Sequence, residues 1–427
     1  VAEHNLSRWS MYLSNETLRY PVPWPAYAIG SCQRSGQTLL TVGSVKEGPS
    51  NRMATLTFTS KDVIEAATEE VVFSHPISRI QYQPEGPEDT ADSVIMAIAS
   101  DSLYLVNKTE NGSSIIARYD PPCKGVPVNP PTDMCWSDNG MFIATVHLGG
   151  EFCLWDVRER GTDSIDTPVV CARVEREGEG EGDEALEGSR SVDSLRSYVP
   201  LGSVCQVPGE PCKFYLGGQD GLVRIIDIRH PETITYPPSF AILKDTTPED
   251  SRAPIAQLKR GPEAVAVIYG GHSDNEANVV EAVTLLHPTL PLAAYVSLNA
   301  HAVPVSTAVW CGEDLVTMDV SGRALCWQGL LERGEPSQGE ASLEMFPSPV
   351  SEYLPSPEDI DSTRVSSIPA AIRYACWVPE RQSIACTTMG GIEIMALSDT
   401  DSTQQTEPRS LMPDAPEAPE ETDMSMA

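Results

Sequence analysis

The sequence predicts an all-β protein, a closed ring of seven small antiparallel sheets forming a β-propeller. Three observations carry that expectation. Residues 131–160 spell out three strands and two tight turns that end in Trp155-Asp156. Several other segments repeat the same pattern at lower fidelity. Val, Ile, Thr and Tyr recur in short runs bounded by Gly, Pro, Asn and Asp, while helical periodicity is scarce.

The best-formed unit sets the template. Its first strand closes on Trp136, the polar break Ser137-Asp138-Asn139-Gly140 turns the chain, and residues 141–148 run as a buried strand. Gly149-Gly150 makes the next hairpin, where glycine tolerates the positive φ such turns need, and residues 151–157 lead out to Trp155-Asp156. The unit resembles a WD repeat. One such blade cannot cover both of its faces, so several are expected in a ring. In chain order they are expected at 26–62, 78–108, 131–160, 213–230, 254–287, 304–328 and 371–397. The fourth carries Asp220-Gly221 in its turn and Ile226-Asp227 where Trp-Asp would stand. The sixth has Trp310 at its first corner and Trp327 near its end, and the seventh has Trp377 at the corner. Residues 18–20 come too early to be the inner strand of the first unit. They are expected to supply the outer strand of the last blade, beside 391–397, which leaves no open sheet edge.

The domain plan follows: an extension at 1–17, a WD-repeat propeller over 18–397, and a tail at 398–427. A length of 427 residues would suit two or three ordinary domains, but repeat folds run longer as single units. Acidic residues gather in 175–197, in the Pro-, Ser- and Glu-rich stretch 331–366, and in the tail, all three expected to be disordered spacers outside the blades. A net charge of −32 without a basic stripe argues against a nucleic-acid surface. No stretch approaches the length of a membrane span, and no apolar leader opens the chain, so the expected location is cytoplasmic, nuclear or both. The glycosylation patterns at Asn15, Asn107 and Asn111 are then chance matches. The 11 cysteines are scattered, without a C-x-x-C pair or zinc spacing, and read as buried free thiols. Cys205 and Cys212 flank a turn and are placed to face each other across a hairpin.

Chemistry is hard to find in this chain. There is no G-x-S-x-G, H-E-x-x-H or phosphate loop, and the run from Gly178 to Gly182 carries carboxylates that would repel a phosphate. No cofactor, metal or catalytic residue is expected. In a strong WD repeat a turn Asp, a His, a strand hydroxyl and a Trp form a buried bonded tetrad. Here His301, Thr317 and Trp327 supply three members, with Ser321 where the Asp would be. The third unit has Trp155 but Gly149 in the turn, and His75 is a further candidate for the His role. The expected structural set is therefore Trp136, Trp155, Asp220, His301, Thr317, Trp327 and Trp377, with packing outweighing polar networks.

The ordered pieces Tyr20 to Ala28 (YPVPWPAYA), Gly43-Ser44-Val45, Asn51-Arg52-Met53, Phe73-Ser74-His75-Pro76, Gly218 to His230 (GGQDGLVRIIDIRH without its first Gly), Asn299 to Val303 and Ile392-Glu393-Ile394 carry a family resemblance. Together they are similar to the WD-repeat scaffold family of the plant TRANSPARENT TESTA GLABRA regulators and their animal cullin-RING-ligase-associated relatives. The long acidic insertions and the poor fifth unit depart from that family's pattern. The resemblance implies a non-catalytic platform, monomeric within its complexes, that assembles proteins: a regulatory kinase, transcription factors, or a ubiquitin-ligase adaptor. A substrate receptor of a cullin-RING ligase, or a propeller subunit of a trafficking, ciliary or RNA-processing complex, are the alternatives. Trp155-Asp156-Val157-Arg158 and Ile226-Asp227-Ile228-Arg229 match the W-D-x-R pattern by which some propellers dock on the ligase adaptor. Asp156, Arg158, Asp227 and Arg229 are thus the candidate partner-binding residues. The bland alternative is that each Asp-Arg pair caps the end of its strand.

Overall fold

The computed structural model describes residues 11–20, 22, 24–34, 37–45, 50–58, 64–84, 93–109, 112–121, 129–158, 164–165, 167–176, 198–270, 283–286, 296–298, 300–330, 349, 351–353, 374–388 and 391–399. They form a seven-bladed β-propeller. Six sheets have four strands and one has five. Each blade starts at the axis and steps outward in chain order, except that the outermost strand of the last blade comes from the start of the chain. Blade 1 runs Ala26–Arg34, Gln37–Ser44, Asn51–Phe58, Ile64–Phe73; blade 3 runs Pro131–Trp136, Phe142–His147, Glu151–Asp156, Val170–Arg173. Blade 4 runs Leu201–Gln206, Lys213–Gly218, Val223–Asp227, Ile234–Thr235. The inner strands of blades 2, 5, 6 and 7 are Arg79–Tyr82, Ile255–Arg260, Val305–Cys311 and Ala375–Val378.

Why the ring holds follows from where the apolar residues sit. The strands have side chains buried on both faces, as in Phe142–His147 and Val265–Tyr269, because each sheet is sandwiched between two others. The buried residues fall into seven clusters, one at each junction between neighbouring blades. Between blades 3 and 4, for example, Phe152 meets Phe214 with ring centroids 5.6 Å apart. Glycine is required where the turns touch the next blade. Gly150 has φ of 83°, and a Cβ there would stand 2.9 Å from the carbonyl oxygen of Val199.

Closure occurs as the early strand was expected to provide it. Met11–Tyr20 lies antiparallel beside Gly391–Asp399, from Met11 opposite Asp399 to Tyr20 opposite Ile392. The strand is longer than the expected 18–20, running back to Met11. Inside, Thr387 Oγ1 donates to the Tyr27 carbonyl at 2.8 Å and Ser31 Oγ to that of Trp377 at 2.7 Å, so the first and last blades are also joined near the axis.

Other outer strands were equally hidden. Ser351–Tyr353, within the stretch read as a spacer, pairs with Ala324–Trp327 as the outer strand of blade 6. Glu175 and Tyr198 bridge at the base of the 175–197 insertion. Residues 177–197, most of 331–366, residues 1–10 and 400–427 lie outside the described residues. Among the described residues one α-helix, Pro238–Thr246, interrupts the all-β pattern between blades 4 and 5, with Pro at its start and Phe240 buried in the junction below. It is only nine residues long, too short for its periodicity to stand out.

Candidate functional site

Antiparallel pairing sorts the residues between the two faces of the ring. In blade 3 the end of the inner strand, the start of the second and the end of the third lie together, since Trp136 is opposite Ile143 and Phe142 opposite Asp156. The four candidate partner-binding residues therefore share one face, the face of the first-to-second-strand turns. His147, Asp220 and Asp319 belong to the opposite face.

On the first face, Asp156 and Asp227 each form a bracket with the arginine two positions on. Arg158 donates its backbone N–H to Asp156 Oδ1 at 3.0 Å, Nε to the same oxygen at 2.9 Å, and a terminal nitrogen to Oδ2 at 2.5 Å. Arg229 does the same to Asp227, at 3.0, 2.9 and 2.5 Å. Hydrogen bonding from Arg229, above all, holds Asp227 down at about 2, and Arg158 lowers Asp156 in the same way. The brackets are thus strand-end caps. They are also accessible: the arginine side chains are 64% and 59% exposed. A cleft of about 190 Å³ lies between blades 3 and 4, walled by Phe142, Leu154, Phe214, Pro211, Cys212 and Ile228. Arg158 stands over the Phe142 ring at 5.7 Å, and Ile228 sits between Asp227 and Arg229, so both brackets border this cleft.

A second concavity, about 420 Å³, occupies the axis itself and is lined by the inner strands of six blades. Arg79 and Asp133 of its wall belong to a polar belt around the inner strands that sequence reasoning missed. Buried Asp133 accepts from Arg79 Nε at 2.5 Å, Ser203 Oγ at 2.5 Å and Val204 N–H at 3.1 Å. Ser203 Oγ in turn accepts from the Leu258 N–H at 2.8 Å. Four blades are tied through one carboxylate. The belt continues where Thr307 Oγ1 donates to Gln257 Oε1 at 3.1 Å and Gln257 Nε2 to the Ser306 carbonyl at 2.9 Å. Asp133, Ser203, Gln257 and Thr307 each follow a register shift in the inner strand, and each bonds across to a neighbouring blade. A polar residue third in four of the inner strands was the available signal; blade 1 has the same register shift but Ala28 at that place.

The residues expected to be structural take the following places. Trp327 Nε1 donates to Thr317 Oγ1 at 2.8 Å, and the ring of His301 links Thr317 Oγ1 at 2.7 Å to Asp319 Oδ2 at 2.8 Å. The tetrad of blade 6 is complete. Its acid is Asp319, at the strand end, and Ser321 only donates to it at 2.6 Å. Burial works to raise Asp319, but the bonds from His301 and Ser321 outweigh it and leave the carboxyl below its ordinary range. Blade 3 builds a variant: Trp155 Nε1 donates to Thr145 Oγ1 at 3.0 Å, which contacts His147 Nε2 at 3.1 Å, while Nδ1 faces the Asn129 carbonyl at 2.9 Å. Polar networks therefore count for more than expected. Asp220 instead pairs with buried Arg224, at 2.9 and 2.5 Å. Trp136 and Trp310 donate across to the Gln81 and Lys259 carbonyls of the preceding blades, at 3.2 and 2.9 Å, and Trp377 packs in the junction of blades 6 and 7.

Two expectations fail. His75 is half-exposed beside Ser74 and Asp101 and joins no tetrad. Cys205 lies opposite Tyr215, because the hairpin register places Cys212 beyond the pair; the thiols that face each other are Cys153 and Cys171, 3.9 Å apart. Among the described residues no group of three or more His, Cys, Asp or Glu is placed to hold a metal, and no helix is long and apolar enough to cross a membrane. No protein-family model matches the chain, and no curated protein matches its sequence.

Proposed function

We propose that the protein is a non-catalytic scaffold that assembles a regulatory complex, a kinase with transcription factors, in the cytoplasm or nucleus. The single observation that supports this reading best is the pair of exposed Asp-Arg brackets bordering one apolar cleft between blades 3 and 4. Aromatic and aliphatic walls rimmed by arginine are the composition of protein-binding hot spots. A rigid ring suits the role, since its loops vary without disturbing the junctions that hold it. The test is affinity capture with the full chain and with Arg158→Ala/Arg229→Ala. Recovery of a kinase and a DNA-binding regulator, reduced by the double substitution, supports the scaffold; recovery of neither class overturns it.

A second reading rests on the same brackets: the first spells W-D-x-R, the pattern of a ligase-adaptor dock, and the second keeps its Asp and Arg with Ile226 in place of the Trp. As a cullin-RING substrate receptor the chain would co-purify with cullin and adaptor, and the double substitution would abolish this. Retention of cullin by the double variant removes that reading.

A further inference from the structure

The third and outermost strands of blade 3 set two thiols face to face. Glu151–Asp156 and Val170–Arg173 pair antiparallel with Cys153 directly opposite Cys171. Residues so placed stand about 4.5–5.5 Å apart at Cα, within the about 4.4–6.8 Å that a disulfide spans. The Cys153 thiol donates to Cys171 Sγ at 3.9 Å. Drawing the sulfurs to a bonding distance of about 2.05 Å therefore asks for side-chain rotation and no slip of the ladder. The neighbours anchor that register. Glu151, opposite Arg173 on the same side of the sheet, takes its guanidinium at 2.6 Å, while Val170 and Ala172 pack the other side into the junction with blade 4.

The two thiols differ in what can reach them. Cys153 is fully buried in the junction of blades 2 and 3, whereas Cys171 lies exposed on the outermost strand. The other described cysteines are buried or half-buried. Burial pushes the Cys135, Cys205, Cys311 and Cys386 thiols up and keeps them protonated and inert. The hydrogen bond to Cys171, with burial, does the same for Cys153. In that bond Cys171 is the acceptor, the role a thiolate sulfur fills. An oxidant arriving from solvent thus meets Cys171 first and finds a second thiol behind it. An accessible sulfur backed by a resolving cysteine is the arrangement of redox-sensing pairs.

We infer that Cys153 and Cys171 form a reversible redox-modification site, closed to a disulfide by a peroxide and reopened by a dithiol. The Cys171 thiolate attacks one oxygen of hydrogen peroxide. An S–O bond forms, the O–O bond breaks, and the departing hydroxide takes up the proton that Cys171 gave up, leaving as water. The Cys153 sulfur then displaces the sulfenic oxygen, which departs as a second water with the Cys153 proton as the S–S bond forms. Two electrons pass from the thiols to the peroxide. A dithiol returns two electrons and two protons by exchange and becomes a disulfide itself. The bond fastens the outermost strand, from which the chain runs on to the Glu175–Tyr198 bridge, to the interior of blade 3. A link with one exposed sulfur is of the readily reduced kind. Cys153 faces blade 2, away from the rim cleft, so the site stands apart from the scaffold reading.

The test is stoichiometric hydrogen peroxide on the reduced full chain, then alkylation of the remaining thiols and non-reducing tryptic peptide mass spectrometry. Cleavage after Arg158 and Arg160 separates the two cysteines, so the link is read as a joined peptide pair, and fragmentation assigns its sulfur to Cys153 rather than Cys135. The Cys153–Cys171 pair should exceed every other linked pair at least about tenfold, come apart with dithiothreitol, and lose its preference when peroxide is added in guanidinium, where the ladder no longer aligns the thiols. In Cys153→Ser, oxidation should stop at the Cys171 sulfenic acid, trapped by dimedone at least about tenfold more than in the wild type. Cys171→Ser should show neither the link nor an adduct at Cys153. A circular-dichroism melt establishes that the variants are folded, and the wild-type mapping decides the matter without them. The inference is overturned if this pair does not form, if another pair forms in preference, if dithiothreitol fails to reopen it, if the preference persists in guanidinium, or if folded Cys153→Ser gives no dimedone adduct at Cys171.

Discussion

Replacing Asp133 with Ala should be among the most damaging single changes to this propeller. The carboxylate is 3% exposed and receives four donors: Arg79 Nε, Ser203 Oγ, Val204 N–H and its own neighbour Met134 N–H at 2.9 Å. Its removal strands the Arg79 guanidinium, itself 8% exposed, without a counter-charge. Breaking a buried pair in this way costs about 3–5 kcal/mol, mostly the penalty of the abandoned charge. Urea unfolding followed by tryptophan fluorescence measures it: the midpoint should fall with the slope unchanged, by about 1 M or more if the slope is about 3 kcal/mol per M. Arg79→Met/Asp133→Ala should then be more stable than Asp133→Ala alone, because the charge has gone too. A loss below about 1 kcal/mol for the single change, or an additive loss for the double, would refute the idea that Asp133 is the electrostatic pivot of four blades.

Three further outcomes are expected. Thr317→Val should cost about 1–3 kcal/mol in thermal or urea unfolding, since it leaves Trp327 Nε1 and His301 Nε2 without the shared hydroxyl; a neutral result would mean the blade 6 relay is not stabilising. Lys259→Met should raise stability, because the folded state holds this amine at about 7 against its usual 10.5. The unfolded chain binds the extra proton between those values, so the gain is full below about pH 7, at most about 5 kcal/mol at about 1.4 kcal/mol per pH unit, and gone above about 10.5; paired melts across that range would contradict it if the gain grew with pH. Deleting residues 1–22 should lower the melting temperature by more than about 5 °C, since it bares the edge of Gly391–Asp399; an unchanged melt would refute closure through Met11–Tyr20.

Legibility followed the physical source of each signal. The second and third strands of blades 3, 4, 6 and 7 were readable because they are buried on both faces and end in Gly-containing turns. Outer strands such as Ser351–Tyr353 were not, because a backbone ladder at an edge asks little of side chains. His301, Thr317 and Trp327 were recognised as a set, yet their acid was sought at Ser321: spacing along the chain does not say which carboxylate a folded turn brings to a ring nitrogen. The Asp-Arg brackets at 156–158 and 227–229 were visible as motifs, and their shared cleft was not, since it depends on how blades 3 and 4 meet.

By itself the sequence determined the repeat: short apolar strands with turn residues between them can bury both faces only by stacking sheet on sheet, and an early unpaired strand can close the stack into a ring. Only the tertiary structure decided what lies at the centre. Arg79, Asp133, Ser203 and Lys259 are far apart in the chain and look like isolated polar residues in apolar strands. They come together at a charged axial concavity because the inner strands converge on one axis, where Arg79, Asp133 and Ser203 find their bonding partners on different blades.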